Sequence, residues 1–273
     1  MMSVKINATG RRSVEAEVEV PGTPEEVWQA IATGPGISAW FVPTTIEPRE
    51  GGAVTASFGP GMDSVSTITA WEPPRRFVAN SRDDMGPDDP TIATEWIVEP
   101  RPNGTCVVRV VHSWVTDRDN LDKQFEGHVH GWRAFFRILR LYLTHFRGEN
   151  SSAFQLMAIA PEPKSEAWTK LTNSLGLGGV KENQRFATAS GVPRLAGIVE
   201  RVGEEAYPEE LLLRLDEPAP GLAHLFAMSM GGQVYLSSRF YFYGGNAAMA
   251  AKNEEPLWRN WMGEQFPLPE APQ

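Results

Sequence analysis

The sequence predicts an α+β fold in which an antiparallel sheet wraps one long helix, with the same plan begun again, shorter, in the second half. Three observations predict it. Residues 125–146, FEGHVHGWRAFFRILRLYLTHF, space Trp132, Phe135, Phe136, Leu139, Leu143 and Phe146 at helical intervals along one apolar face. Residues 44–114 break into alternating runs separated by Gly, Pro, Asp and Asn clusters, the pattern of consecutive hairpins. After the polar stretch 148–152 the order of elements restarts.

The first strand is 13–20, SVEAEVEV, with Val14, Ala16, Val18 and Val20 on one face. Pro21-Gly22 ends it. Thr23 stands three residues before Glu26, the spacing of a capping box, and Pro24 occupies the first helical position of PEEVWQAIA. Gly34-Pro35-Gly36 is expected to break that helix, with a further helical turn over 37–41. Strands follow at 44–47, 53–58, 64–71, 76–81, 91–99 and 105–114, while 83–89 is an acidic loop. In the long helix Gly127 and Gly131 loosen the entry. Arg133, Arg137, Arg140 and Arg147 gather on one side, and Ile138, Leu141 and Tyr142 form a smaller apolar patch.

The second half reads as a strand at 153–160, a helix at 163–175 and strands at 185–189, 196–202, 210–215, 223–229 and 233–243. A closing helix at 246–266 is expected to kink or restart at Pro256, and 267–272 is a tail without regular structure. The domains are therefore 1–148 and 153–273; the alternative is an unrelated α+β extension that caps the first domain. Phe226, Met228, Met230, Tyr235, Phe240, Tyr241, Phe242 and Tyr243 form either a core or an interface between halves or subunits, which leaves a homodimer open.

The chain has 273 residues, 41% hydrophobic and 22% charged, with a formal net charge of -9. That balance argues against binding a nucleic-acid backbone. Cys106, the single cysteine, excludes an internal disulfide and a cysteine-based zinc site, and its place in a strand makes it a buried structural thiol. No signal-like N-terminus and no apolar run of about 18 residues occur, so no membrane insertion is expected and the expected location is the cytoplasm.

Residues 13–147 resemble the helix-grip superfamily (SRPBCC) that includes START lipid-transfer domains, polyketide cyclases and the birch-pollen allergen. Within it they are most similar to the branch named after the C-terminal domain of the activator of heat-shock protein 90 ATPase. The resemblance rests on VEVPGTPEEVWQAI at 18–31, Trp40-Phe41, Gly51-Gly52, ITAWEPPRRF at 68–77, TEWIVEP at 94–100, GTCVVRVVHSW at 104–114 and Gly131-Trp132. It implies a curved antiparallel sheet around a long C-terminal helix with a cavity between them. Function does not follow from it, because the fold hosts unrelated activities.

On β-strand alternation Val108, Val110, His112 and Trp114 share one face, and Thr94, Trp96 and Val98 line the neighbouring strand. The ligand-binding set is Trp40, Phe58, Trp96, His112, Trp114, Trp132, Phe135, Phe136 and Leu139, suited to a small hydrophobic or aromatic molecule; the same residues also suit a filled core. No catalytic residue is assigned. His112 acts as a general base only if a carboxylate orients it. His128 and His130 diverge on a helix, no HExxH or GxSxG occurs, and Gly176-Leu177-Gly178-Gly179 is a loop, so neither metal nor cofactor is expected. Three functions remain: a non-catalytic binding protein, a chaperone cofactor of the heat-shock protein 90 activator type, and a cyclase or hydrolase acting on aromatic polyketide-like substrates.

Overall fold

The computed structural model describes residues 5–6, 11–59, 61–81, 91–115 and 120–267, with the backbone alone along 120–130. Two compact units divide at residue 148: Met1–Gly148 and Glu149–Gln273. Each is an antiparallel sheet with helices, an α+β helix-grip arrangement.

In the first unit β1 (Lys5–Ile6) adds a short edge to β2 (Arg11–Pro21). The helices α1 (Pro24–Ala32) and α2 (Gly34–Ser38) come next. Six strands follow: β3 (Thr44–Ile46), β4 (Ala53–Ser57), β5 (Asp63–Glu72), β6 (Arg76–Ser81), β7 (Ile92–Arg101) and β8 (Thr105–Val115). The sheet order is β1-β2-β8-β7-β6-β5-β4-β3, so the first long strand lies beside the last. Their register runs from Arg11↔Val115 to Pro21↔Thr105 without a shift. Between β7 and β8 the chain returns through Asn103 and Gly104, both left-handed at φ 69 and 73. The helix α3 (Asn120–His145) then lies against β2.

The capping box predicted at Thr23 is present. Glu26 N donates to Thr23 Oγ1 at 3.3 Å, and Thr23 N donates to Glu26 Oε2 at 2.8 Å. The same carboxylate accepts from Arg147 Nη1 at 2.7 Å, which ties the end of the unit to its beginning. These bonds, the backbone one foremost, hold the Glu26 carboxyl below the usual carboxylate range. The first helix breaks as expected, at the extended Thr33, but the next helical turn is α2 at Gly34–Ser38 rather than 37–41, so Gly34-Pro35-Gly36 forms its body. Thr33 Oγ1 accepts from Gly36 N at 3.1 Å and starts a new helical turn. Gly36 is needed there for close approach, since a Cβ would stand 1.9 Å from the Gln29 carbonyl oxygen. Gly131 lies inside α3 and does not loosen its entry. The acidic loop 83–89 and the side chains of His128 and His130 lie outside the described residues.

The second unit repeats the order. It runs β9 (Ser151–Ala160), α4 (Lys164–Ser174), β10 (Arg185–Ala187), β11 (Ala196–Glu204), β12 (Tyr207–Glu217), β13 (Gly221–Met230), β14 (Gln233–Tyr243) and α5 (Ala247–Gln265). Its sheet order is β10-β11-β12-β13-β14-β9, so again the first strand pairs with the last. Leu211, Leu213, Leu225, Leu236, Phe240 and Phe242 pack inward beneath Trp258, Trp261 and Met262 of α5. Pro256 neither interrupts nor restarts α5, which is helical throughout. The proline removes one backbone donor. The buried tryptophans beyond it hold the helix on the sheet, so packing outweighs the local penalty. Of the apolar strand residues, Phe240 and Phe242 join this core, Tyr241 and Tyr243 are buried on the opposite face, and Met230 is exposed. The tail beyond Pro267 lies outside the described residues.

Replacing Thr23 by Ala should cost the first unit about 1 kcal/mol in urea denaturation, the usual worth of an N-cap. A carboxyl held low in the folded state contributes stability at neutral pH, and that contribution is lost as the pH falls through the folded value. The stability gap between wild type and Glu26→Gln should therefore be widest near neutrality and close below the usual carboxylate range. A gap independent of pH would contradict this role for Glu26.

Candidate functional site

The sheet face beneath α3 is built by alternation. On β8, Val108, Val110 and Trp114 are buried, with His112 half-buried among them; on β7, Trp96 and Val98 are buried beside Thr94. His112 pairs with Val14 on one side and Thr94 on the other, the register that puts all three on one face. From α3, Phe135, Phe136, Leu139 and Leu143 are buried, while Trp132, nearer the start of the helix, is half-buried.

These residues join into one aromatic cluster. Trp40 is fully buried at 0% exposure and is pinned by its indole N–H, which donates to the Ala30 carbonyl at 2.8 Å. Its ring lies 6.2 Å from Trp96 and 6.3 Å from Phe136. Trp96 meets Trp132 edge-on at 5.1 Å. Phe41 joins the inner and outer parts: it stacks on Trp132 at 5.1 Å, meets Phe135 at 4.4 Å and touches Phe58 at 5.7 Å. Phe58 is 37% exposed, so the cluster runs from a sealed interior to the surface. Edge-to-face and offset contacts of this kind add about 0.5–1.5 kcal/mol per pair beyond burial. Trp114 and Leu139 are buried on the same two faces, one strand step and one helical turn further along.

A polar chain crosses this apolar surface. Trp132 Nε1 donates to His112 Nε2, and His112 Nδ1 lies 2.9 Å from Thr94 Oγ1. An indole N–H can only donate, so Nε2 presents its lone pair; the neutral ring then carries its proton on Nδ1 and donates it to Thr94. The half-buried end of the cluster thus holds an uncharged, oriented histidine whose accepting nitrogen is covered by a tryptophan.

In the structure the residues of the expected set lie on the face beneath α3 or at its rim, and Phe41 and Thr94 lie with them. Phe41 was visible as half of the Trp40-Phe41 pair, yet nothing local marked it as the link between inner and outer rings. Thr94 was assigned to the correct strand face without a role, because its partner is 18 residues away. In the second unit Glu210 Oε1 lies 2.9 Å from His224 Nε2, both buried on the face opposite α5. Only the diagonal relation of β12 to β13 joins them. Tyr241 on that face has its hydroxyl pushed up to about 12 by burial. No group of three or more His, Cys, Asp or Glu able to hold a metal occurs among the described residues. No described helix is long and apolar enough to cross a membrane.

Replacing Trp132 by Phe keeps a ring in the stack and removes only the N–H. The loss should be about 1 kcal/mol of stability, the worth of one neutral hydrogen bond. It should also change the His112 Nε2 resonance in nitrogen-15 spectra toward that of an unbonded imidazole nitrogen. An unchanged resonance would mean the Trp132–His112 bond is not formed in solution.

Residues 21–144 match the family described as Activator of Hsp90 ATPase homolog 1-like protein. No curated protein sequence matches the chain. Among solved structures it is similar to CalU16 from Micromonospora echinospora, with 18% identity over 53% of this chain and 85% of that one and a TM-score of 0.42. It is also similar to the di-domain ARO/CYC BexL from the BE-7585A biosynthetic pathway, with 13% identity over 96% of this chain and 100% of that one and a TM-score of 0.44. The Aha1 dimer from Colwellia psychrerythraea is 20% identical over 48% of this chain and 95% of that one, with a TM-score of 0.40. With its capped first helix, first-to-last strand pairing and aromatic α3 laid on the sheet, the N-terminal unit, through the match over residues 21–144, belongs to the Activator of Hsp90 ATPase homolog 1-like family.

Proposed function

We propose that the N-terminal unit, residues 1–148, is a non-catalytic cytoplasmic binding module for a small hydrophobic, ring-bearing molecule, held between the sheet and α3, and that 153–273 is a second domain of the same kind. The observation that carries this reading is the gradient along the aromatic cluster. Trp40 and Trp96 form a sealed base, Trp132 and His112 a half-buried middle, and Phe58 an exposed rim.

A ring entering past Phe58 would exchange ring–water contact for ring–ring contact, worth about 25 cal/mol per Å2 of apolar surface covered. Its orientation would come from the Trp132–His112–Thr94 chain. A ligand hydroxyl can take the place of the Trp132 N–H at His112 Nε2, where it meets an acceptor already fixed by Thr94. The proposed contacts are Trp40, Phe58, Trp96, His112, Trp114, Trp132, Phe135, Phe136 and Leu139, with Phe41 added.

The description of the matched family supports a second reading, a cofactor that stimulates the ATPase of a heat-shock protein 90 type chaperone. A cyclase or hydrolase reading needs a carboxylate to orient His112. Thr94 and Trp132, which hydrogen-bond His112, are uncharged and supply no such carboxylate.

Titration with 1-naphthol, anthraquinone and myristate, followed by tryptophan fluorescence, should show saturable quenching by at least one ring compound. Trp132→Ala should weaken that binding about tenfold, the effect of about 1.4 kcal/mol. Saturating probes that leave the fluorescence unchanged, together with stimulation of a chaperone ATPase by the intact chain, would decide for the second reading.

A further inference from the structure

The arginine stripe of α3 plays no part in the ligand binding proposed above. At 3.6 residues per turn Arg133, Arg137 and Arg140 fall within an arc of about 60°, spread over about 10 Å of helix. That arc is opposite the buried face of Phe135, Phe136, Leu139 and Leu143. Arg133 and Arg140 are exposed, and Arg137 is half-buried between them.

Elsewhere on the described surface most arginines stand beside carboxylates: Arg49 with Glu47, Arg76 with Glu72 and Glu95, Arg185 with Asp216, Arg201 with Glu182 and Glu204, and Arg259 with Glu255. Arg147, at the end of the same stripe, is held by Glu26. Arg133 and Arg140 meet no carboxylate among the described residues. The chain carries 34 Asp and Glu against 25 Lys and Arg, yet no acidic residue lies between Glu126 and Glu149. An exposed helix gains from opposite charges three or four residues apart and loses from like ones. The stripe sets like charges at both spacings, and Arg133 and Arg140 touch nothing that repays the fold for it.

Charge complementarity requires an anionic partner, and the form of the stripe narrows the choice. None of the exposed large apolar side chains of the unit is on α3, so the stripe has no wedge to enter a bilayer. A nucleic-acid strand would carry its charge past the stripe and over a chain of net charge -9. A short acidic helix laid along α3 brings its carboxylates at the same three- and four-residue spacing. Salt confines the repulsion from the rest of the chain to about 8–10 Å. Each guanidinium can then take a carboxylate through two N–H groups.

We infer that the solvent face of α3 is a docking surface for an acidic helix of a partner protein, held by Arg133 and Arg140 with Arg137 between them. The surface is separate from the aromatic cluster on the other side of the helix and needs no ligand there.

The test uses the intact chain and two fluorescein-labelled helical peptides of identical composition. One carries glutamates at i, i+4 and i+7 on a single face; the other has the same glutamates dispersed around the helix. At low salt the single-face peptide should raise the anisotropy saturably, and the dispersed one should bind several-fold more weakly. Arg133→Gln with Arg140→Gln should weaken the single-face peptide about three- to tenfold, the worth of two exposed ion pairs. Arg49→Gln with Arg75→Gln, the same change in net charge elsewhere on the unit, should leave its binding unchanged. The Arg133→Gln/Arg140→Gln chain should unfold at the wild-type temperature and bind ring compounds as wild type does, so the two surfaces fail separately. Equal binding of the two peptides, or equal losses in the two double variants, overturns the inference. So does binding to phosphatidylglycerol vesicles, or self-association, that Arg133→Gln/Arg140→Gln abolishes.

Discussion

Both units depend on one long-range contact: the pairing of their first long strand with their last. In the first unit β2 and β8 meet across more than 80 residues of intervening chain, as the bond from Thr105 to Glu19 shows. Loop-closure entropy opposes such a contact, although its cost grows only slowly with length. Eleven consecutive residue pairs in unbroken register answer it. Once β8 is beside β2, the helix that leaves β8 must return over the sheet, and α3 comes to lie against β2. The second unit closes in the same way through β9 and β14, and α5 returns over that pair.

That register also determines the chemistry. A slip of one residue would turn His112 and Trp96 away from α3 and bring Arg109 and Glu95 under it. In the observed register the charged residues stay on the outer face, where Arg109 pairs with Glu17 and Glu99, and Arg76 with Glu72 and Glu95. These exposed and half-exposed pairs add little stability each. Their value is in register: charge left beneath α3 would be stranded among tryptophans.

The two interiors solve the polar problem differently. Under α3, among the described residues, the nitrogens of His112 are engaged by Trp132 and Thr94, so the polar chain in the aromatic cluster is a satisfied one. Under α5 the strand presents a serine and the helix an indole that do not reach each other. Aromatic residues dominate the cluster under α3 because a ring covers much area with few rotatable bonds and tolerates another ring, its own or a ligand's, against its face, whereas leucines are the commonest residues of the core under α5.

Local chemistry alone was enough for much of this architecture. The alternation of SVEAEVEV, the capping box at Thr23 and Glu26, the Asn103-Gly104 return and the six-residue apolar face of α3 each act within a few positions, so they can be read without knowing the fold. The same is true of the restart after residue 152. What could not be read locally was every feature that depends on a distant partner. Buried tryptophans carrying α5 through Pro256, Phe41 linking inner and outer rings, and Thr94 and Trp132 fixing the tautomer of His112 all arise from contacts between residues that only the closed sheet brings together. Propensity and periodicity describe a residue's neighbours along the chain, whereas burial, ring contact and hydrogen-bond satisfaction are settled by its neighbours in space.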